Sequence, residues 1–265
     1  MIEPENRNGG EVDALLAAAL AMADASGPIL RRYFRSDLLI ETKDDSTPVS
    51  AADREVEAAI RAIIADRFPG HGIIGEEYGN TNADARHVWV LDPLDGTASF
   101  VTGKPLWGTL IALAVQGSPM LGIIDQPVLA ERWVGAAGRA TTLNGKPARV
   151  RPCEHIERAW TYATTPAMFQ GANLDAWTRL TGRVRQTVYG ADCYAYGLLA
   201  SGFIDLVVEA RLKPYDYCAL VPVIEGAGGI VTDWEGKPLT TRSDGRVVAA
   251  GDARVHRAAL AALKG

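Results

Sequence analysis

Asp92-Pro93-Leu94-Asp95-Gly96-Thr97 is the stretch of this sequence that says most about its fold and chemistry. It follows an apolar run over residues 88–91, which predicts a buried strand. Two carboxylates then stand at the end of that strand, Gly96 permits a tight turn, and Thr97 is predicted to cap a short helix. Carboxylate oxygens bind hard cations, and free N–H groups at the start of a helix favour an anion. The pattern therefore predicts a place that holds cations and phosphate together.

Further acidic residues follow the same logic elsewhere in the chain. Gly75-Glu76-Glu77 ends a second apolar stretch, and Asp216 stands just before the helix-like run of residues 219–227. Asp53 lies just inside the start of another predicted helix. An isolated Asp-Pro-x-Asp-Gly sequence is usually only a surface turn. The recurrence of acidic residues at the ends of apolar segments favours a clustered site over that interpretation.

Composition limits the classes of protein to which this chain can belong. Its 265 residues, 48% of them hydrophobic, suffice for one large domain or two coupled halves. The net charge of −5 argues against a nucleic-acid-binding surface, although bound divalent cations would still admit a phosphorylated substrate. No apolar run reaches the roughly 18 residues that a membrane span needs, and residues 1–10 lack a signal-peptide core. We therefore expect a cytoplasmic protein with no membrane partner, and we expect free thiols at Cys153, Cys193 and Cys218.

Hydrophobic periodicity divides the chain near residue 150. Before it, helices are predicted over residues 12–34 and 51–68, followed by short strands that favour an antiparallel sheet with helices on one face. After it, strands and helices alternate, which is typical of an α/β arrangement. We predict a single catalytic unit over residues 1–265, with an N-terminal α+β half (1–150) and a C-terminal α/β half (151–265).

Together, these motifs resemble those of the Mg-dependent, lithium-sensitive inositol monophosphatase family. Gly-Glu-Glu, Asp-Pro-Leu-Asp-Gly-Thr and the late Asp before Gly226-Ala227-Gly228-Gly229-Ile230-Val231-Thr232 occur in the family's order, and the resemblance covers residues 43–233. It implies a layered α-β-α-β-α sandwich, hydrolysis of a small phosphate monoester, and a homodimer. Two Mg²⁺ ions roughly 3.5–4 Å apart can activate water and stabilise a leaving oxygen.

The resemblance also implies a role for each site residue, with two or three Mg²⁺ ions in each site. The metal ligands would be Glu76, Asp92, the main-chain carbonyl of Leu94, Asp95 and Asp216. Thr97, Asp53 and Glu76 would be the catalytic residues, with Thr97 orienting the attacking water and Asp53 as its hydrogen-bonding partner. The N–H groups of Gly96 and Thr97 would hold phosphate oxygens. Lys43 would belong to a loop that completes a weaker metal site, and Glu77 would lie behind the ligands or assist the water.

Asp192 and Glu209 stand in the two regions from which the family contacts the leaving alcohol. Two acids suit a cationic amino alcohol better than a neutral polyol, because carboxylate–ammonium hydrogen bonds are charge-assisted. Residues 125–127, 131–133, 164–169, 189–197 and 213–217 resemble the histidinol-phosphate phosphatases of the family, which implies L-histidinol phosphate as the substrate. An inositol-1-phosphatase, a broader phosphatase, and a regulatory protein that keeps the fold remain alternatives. Asp192 could instead be an ordinary helix N-cap, and Glu209 a solvated residue at a strand end.

Overall fold

The computed structural model describes residues 8–36, 40–42 and 48–265, and its strands form three sheets within them. The helices are α1 Asn8–Tyr33, α2 Ala51–Arg67, α3 Thr97–Val101, α4 Ala172–Thr181, α5 Asp192–Ala200, α6 Pro214–Tyr217, α7 Leu220–Gly226 and α8 Ala253–Lys264. The strands are β1 Ile40–Thr42, β2 Pro48–Ser50, β3 Gly72–Gly75, β4 Asn80–Thr81, β5 His87–Asp95, β6 Gly108–Val115, β7 Ser118–Gln126, β8 Glu131–Ala136, β9 Thr142–Leu143, β10 Lys146–Pro147, β11 Trp160–Ala163, β12 Gln186–Tyr189, β13 Leu206–Glu209, β14 Ile230–Thr232 and β15 Val247–Ala250. Short 3₁₀ turns occupy Ile156–Arg158 and Pro166–Met168.

The largest sheet has the strand order β10-β9-β8-β7-β6-β5-β3-β4. Its neighbours are antiparallel except β3 and β5, which run parallel. The antiparallel pairing predicted for the strands after residue 107 is confirmed by β6, β7 and β8, whereas the parallel pair of β3 and β5 was not predicted. The parallel pair brings Gly75 opposite Leu91, so the segments that follow β3 and β5 leave the sheet at the same edge.

Strand β5 lies between two helical layers and is buried on both faces. Trp89 and Leu91 pack into the core that α1 and α2 form on one side, whereas Val88 and Val90 pack with α5 and α7 on the other. A strand covered on both faces carries a continuous apolar run instead of an alternating pattern. The expectation of helices on one face only was wrong, because α5 and α7 follow much later in the chain.

The smaller sheet, of order β12-β11-β13-β15-β14, forms the fourth layer. Val207 of β13 faces the core shared with α5 and α7, while Leu206 and Val208 face α4 and α8. The layers are therefore α1/α2, the large sheet, α5/α7, the small sheet and α4/α8. The predicted α-β-α-β-α sandwich is confirmed, while the division at residue 150 stays a prediction.

Helix α1 corrects one expectation drawn from composition. Between Gly10 and Tyr33 it is long and apolar enough to cross a membrane, and 39% of that window is buried in the protein. Leu15, Met22 and Leu30 are buried in the core beneath the large sheet. A core helix of a soluble protein meets the same length and composition criteria, and so does a signal sequence near the N-terminus.

Candidate active site

Three aspartates converge where β5 leaves the large sheet. Asp92, Asp95 and Asp216 each place a carboxylate oxygen within 4.8 Å of the other two. The first two come from β5, and the third comes from α6, which packs against β5 and β6. Asp92 is buried, and its two neighbours are partly buried. The pairing of β5 with β6 shifts register between Asp92 and Asp95, and such irregularities redirect side chains at the ends of strands.

Electrostatics in this cluster favour a bound cation. Burial raises the pKa of Asp92 well above its ordinary range, and repulsion from Glu76 and the other aspartates adds to the effect. Burial likewise raises the pKa of Asp95, and it raises the pKa of Asp216 to about 7 although the N–H of Lys213 favours the charged form. A divalent cation would supply the positive charge that this arrangement lacks. The donors are hard oxygens of the kind that Mg²⁺ prefers, so these residues fit that ion.

Hydrogen bonds hold the acidic turn in one conformation. Asp92 Oδ1 accepts a hydrogen bond from the N–H of Leu94 at 3.0 Å, and the Thr97 hydroxyl donates to the Leu94 carbonyl at 3.1 Å. The predicted cap is displaced by one residue, because Gly96 is the N-cap and Thr97 is the first residue of α3. Gly96 has φ of 86°, which glycine adopts without strain. The turn thus places Gly96 and Thr97 directly after two of the three aspartates.

Glu76 and Asp53 approach the same cluster from other elements. Glu76 follows β3, its N–H donates to the Leu91 carbonyl at 3.3 Å, and its charge raises the pKa of Asp92 and Asp216. Asp53 is buried in the first turn of α2, and its charge also raises the pKa of Asp92. The structure therefore brings together the acidic residues that the sequence motifs singled out as metal ligands and as the partner of the water.

Asp192 lies beside the acidic turn, at the start of α5. It is the first helical residue, with Ala191 as N-cap, so the interpretation of Asp192 as an ordinary N-cap was wrong. Its Oδ2 accepts a hydrogen bond from the Ser99 hydroxyl at 3.1 Å and lies 3.1 Å from where a Cβ on Gly96 would stand. Burial raises the pKa of Asp192, while nearby Lys104 opposes that shift. The backbone φ of Asp192 is 47°, in the left-handed region.

The next residue ties this segment to the metal ligands. The N–H of Cys193 donates to Asp95 Oδ2 at 2.6 Å. Asp192 directly precedes Cys193, so this hydrogen bond keeps Asp192 close to Asp95. The charge of Asp192 accordingly contributes to the raised pKa of Asp95.

Glu209 is buried, with 3% of its surface exposed, so the alternative of a solvated strand end was wrong. One carboxylate oxygen accepts hydrogen bonds from the Thr164 N–H, at 2.9 Å, and from the Thr164 hydroxyl. The other accepts from the Tyr196 hydroxyl at 2.9 Å. Burial raises the pKa of Glu209, and the charge of Asp192 adds to the shift. The two acids predicted to contact the leaving alcohol therefore lie close enough to repel each other.

Comparison with known proteins agrees with this geometry. The model of the inositol monophosphatase family matches residues 11–264. The chain belongs to the inositol monophosphatase family. It is 49% identical over 270 residues to the bifunctional phosphatase IMPL2, chloroplastic, of Arabidopsis thaliana, covering 98% of this chain and 78% of that protein. It is 36% identical over 232 residues to the histidinol-phosphatase of Mycobacterium tuberculosis, covering 83% and 88% of the two chains.

A solved inositol monophosphatase from Zymomonas mobilis has the same fold. It superposes with a TM-score of 0.88 at 44% identity, covering 96% of this chain and 98% of that one. Enzymes of this family use divalent metals, typically Mg²⁺, and act on small phosphorylated substrates. The chain is thus a phosphatase at the level of the family. Its relatives carry the names of both histidinol and inositol phosphatases, so they leave the substrate open.

The sequence motifs missed some residues that lie near the site. Glu57, Ser99 and Lys104 contact site segments, yet each looks like an ordinary surface residue in sequence. Their partners are distant in the chain, so local spacing carries no signal for them. Glu77 donates its backbone N–H to Glu57, and Lys43 lies outside the described residues.

Proposed function

We propose that this chain hydrolyses L-histidinol phosphate to L-histidinol and phosphate, a step of histidine biosynthesis. The observation that carries the proposal is a pair of acids beside the aspartate cluster, partly buried Asp192 and buried Glu209, in which the charge of Asp192 adds to the raised pKa of Glu209. A neutral polyol would leave that repulsion in place. An ammonium group would relieve it through charge-assisted hydrogen bonds. A protonated amino alcohol is therefore the leaving group that fits these residues best.

In this proposal Glu76, Asp92, the Leu94 carbonyl, Asp95 and Asp216 hold two or three Mg²⁺ ions. The bound ions supply charge for the phosphate oxygens and for the attacking and leaving groups.

The other proposed roles belong to the acidic turn and its neighbours. The Thr97 hydroxyl donates to the Leu94 carbonyl, so its oxygen can accept a hydrogen bond from the attacking water and orient it. Asp53 would be the partner of Thr97 in the hydrogen-bond network around the attacking water. The N–H groups of Gly96 and Thr97 would orient phosphate oxygens. Lys43 and Glu77 keep their predicted supporting roles. Hydrolysis of a phosphate ester depends mainly on this kind of positioning.

A second substrate has specific support. The Zymomonas mobilis protein, at 44% identity, is an inositol monophosphatase, and an inositol phosphate would use the same metal and phosphate contacts. The discriminating experiment compares kcat/KM for histidinol phosphate and inositol-1-phosphate under identical Mg²⁺ concentrations. We expect histidinol phosphate to be preferred by at least tenfold. An equal or reversed preference would overturn the proposed substrate without affecting the metal site.

We also propose that the enzyme is a cytoplasmic homodimer. Two exposed apolar side chains support an interface, Trp160 with 40% and Phe203 with 65% of its surface exposed. Their segments are connected by a hydrogen bond from the backbone N–H of Asp205 to the Trp160 carbonyl. Light scattering coupled to size exclusion measures the mass in solution. A monomer at micromolar concentration would contradict the dimer.

A further inference from the structure

Glu57 is a fully buried carboxylate on α2, one helical turn after Asp53. Its Oε2 accepts a hydrogen bond from the Glu77 N–H at 2.7 Å, and its Oε1 accepts one from the Tyr78 N–H at 3.2 Å. Arg61 Nε donates to the same Oε1 at 2.7 Å. The carboxylate therefore holds the two backbone N–H groups that directly follow Glu76.

Gly75 and Arg61 complete this arrangement from the other side of the turn. A Cβ on Gly75 would lie 2.1 Å from Glu57 Oε1 and 2.6 Å from Arg61 Nη2, so any larger residue would push the carboxylate away. Arg61 also donates to the Gly79 carbonyl and to the Thr81 hydroxyl. Residues 75–79 are thus held at their N–H groups by Glu57 and at their far end by Arg61.

We propose that Glu57 is a positioning residue for the metal site. It acts through the backbone N–H groups of Glu77 and Tyr78, fixing the direction in which the Glu76 side chain leaves β3. The α2 helix then contributes to the site twice, because the charge of Asp53 acts on Asp92 and Glu57 supports the turn that carries Glu76. The inference rests on the proposed role of Glu76 as a metal ligand.

Glu57 is not itself proposed as a metal ligand, and this sets the expected size of the loss in metal affinity. It lies behind a ligand, and loss of such a supporting partner typically weakens metal binding about 10- to 100-fold. Glu57→Gln keeps the size of the side chain and one carbonyl oxygen, but its amide group can accept from only one of the two N–H donors. Glu76 would remain present but less constrained.

The test measures Mg²⁺ binding to the metal-free protein by calorimetry, for wild type and Glu57→Gln. Glu55→Gln is the matched control, because it makes the same change on the same helix at an exposed residue that pairs with Arg32 and Tyr33. We expect about 10- to 100-fold weaker binding for Glu57→Gln and unchanged binding for Glu55→Gln. The kcat of Glu57→Gln at saturating Mg²⁺ should return most of the way to that of wild type.

Urea unfolding in EDTA separates positioning from simple support of the fold. Unchanged Mg²⁺ affinity in Glu57→Gln, with or without a loss of stability, would overturn the proposal. If Glu57→Gln does not fold, Gly75→Ala replaces it, since its methyl group displaces the same carboxylate; wild-type Mg²⁺ affinity there would also overturn it. Failure of the proposed function looks different, because a wrong substrate would change the preference in kcat/KM and leave the Mg²⁺ affinities of wild type and Glu57→Gln as expected here.

Discussion

The metal-free protein should lose stability as the pH rises from about 5 to about 8. The perturbation is removal of divalent cations with EDTA, followed by titration. The folded state raises the pKa of Asp216 from 3.8 to about 7, mainly because the group is buried. A carboxyl group with a raised pKa binds its proton more tightly when folded, so its contribution to stability is complete below its ordinary pKa. That contribution is lost as the pH rises through the folded value.

The expected loss is large enough to measure. The pKa of Asp216 moves from 3.8 to about 7, and the part of that interval above pH 5, about two units at 1.36 kcal/mol each, corresponds to roughly 3 kcal/mol for this carboxyl group. A whole domain is stable by only about 5–15 kcal/mol. Asp92 and Asp95 shift in the same direction. Paired surface acids such as Asp252, whose pKa is lowered by Arg254, titrate below this window and leave it undisturbed.

Urea denaturation at four pH values between 5 and 8, in EDTA and again in saturating Mg²⁺, provides the assay. Mg²⁺ binds the deprotonated carboxylates of the folded protein, so its stabilising effect should grow with pH and cancel most of the decline. A free energy of unfolding that is flat or rising over this range in EDTA would refute the reasoning. It would mean that the folded protein does not raise the pKa values of these aspartates.

Three substitutions test other parts of the site. Asp95→Asn should abolish most activity yet raise the melting temperature in EDTA, because one of the repelling charges is gone; retained activity would contradict its role as a ligand. Asp192→Ala should lower kcat/KM for histidinol phosphate by roughly 10- to 200-fold, from the loss of one hydrogen bond to a charged group, and should barely affect p-nitrophenyl phosphate. Equal losses on both substrates would show that Asp192 supports the fold or the metals instead. Tyr196→Phe removes one donor to Glu209 and should raise KM for histidinol phosphate while leaving turnover of p-nitrophenyl phosphate unchanged; parallel changes on both substrates would speak against a substrate role for Glu209.

Sequence reasoning succeeded where a local pattern determines the structure. The apolar run before Asp92 predicted β5, because a strand buried on both faces needs no alternation. Most predicted helices and strands occur within a few residues of their predicted bounds. Helix α8 was missed although it carries a local signal, since Asp252 caps it and Val255, Ala259 and Leu263 recur along one buried face.

The remaining features depend on contacts between distant segments. The parallel pairing of β3 with β5 and the covering of the large sheet by α5 and α7 have no local signature. Glu57 and Arg61 have the spacing of a solvated ion pair on a helix surface, yet Glu57 is fully buried. Only the tertiary structure shows that the Glu57 carboxylate accepts hydrogen bonds from the two backbone N–H groups after Glu76.

The three aspartates of the cluster come from segments far apart in the sequence, which bears on when the metal site can form during synthesis. Asp92 and Asp95 leave the ribosome long before Asp216, which comes from the later half of the chain. A nascent chain that ends before α6 has only part of the cluster, and therefore part of the charge that attracts a divalent cation. We therefore expect metal to bind only after the layers have docked. Once bound, the cation joins segments from both halves of the sequence and favours the completed molecule over its unfinished precursors.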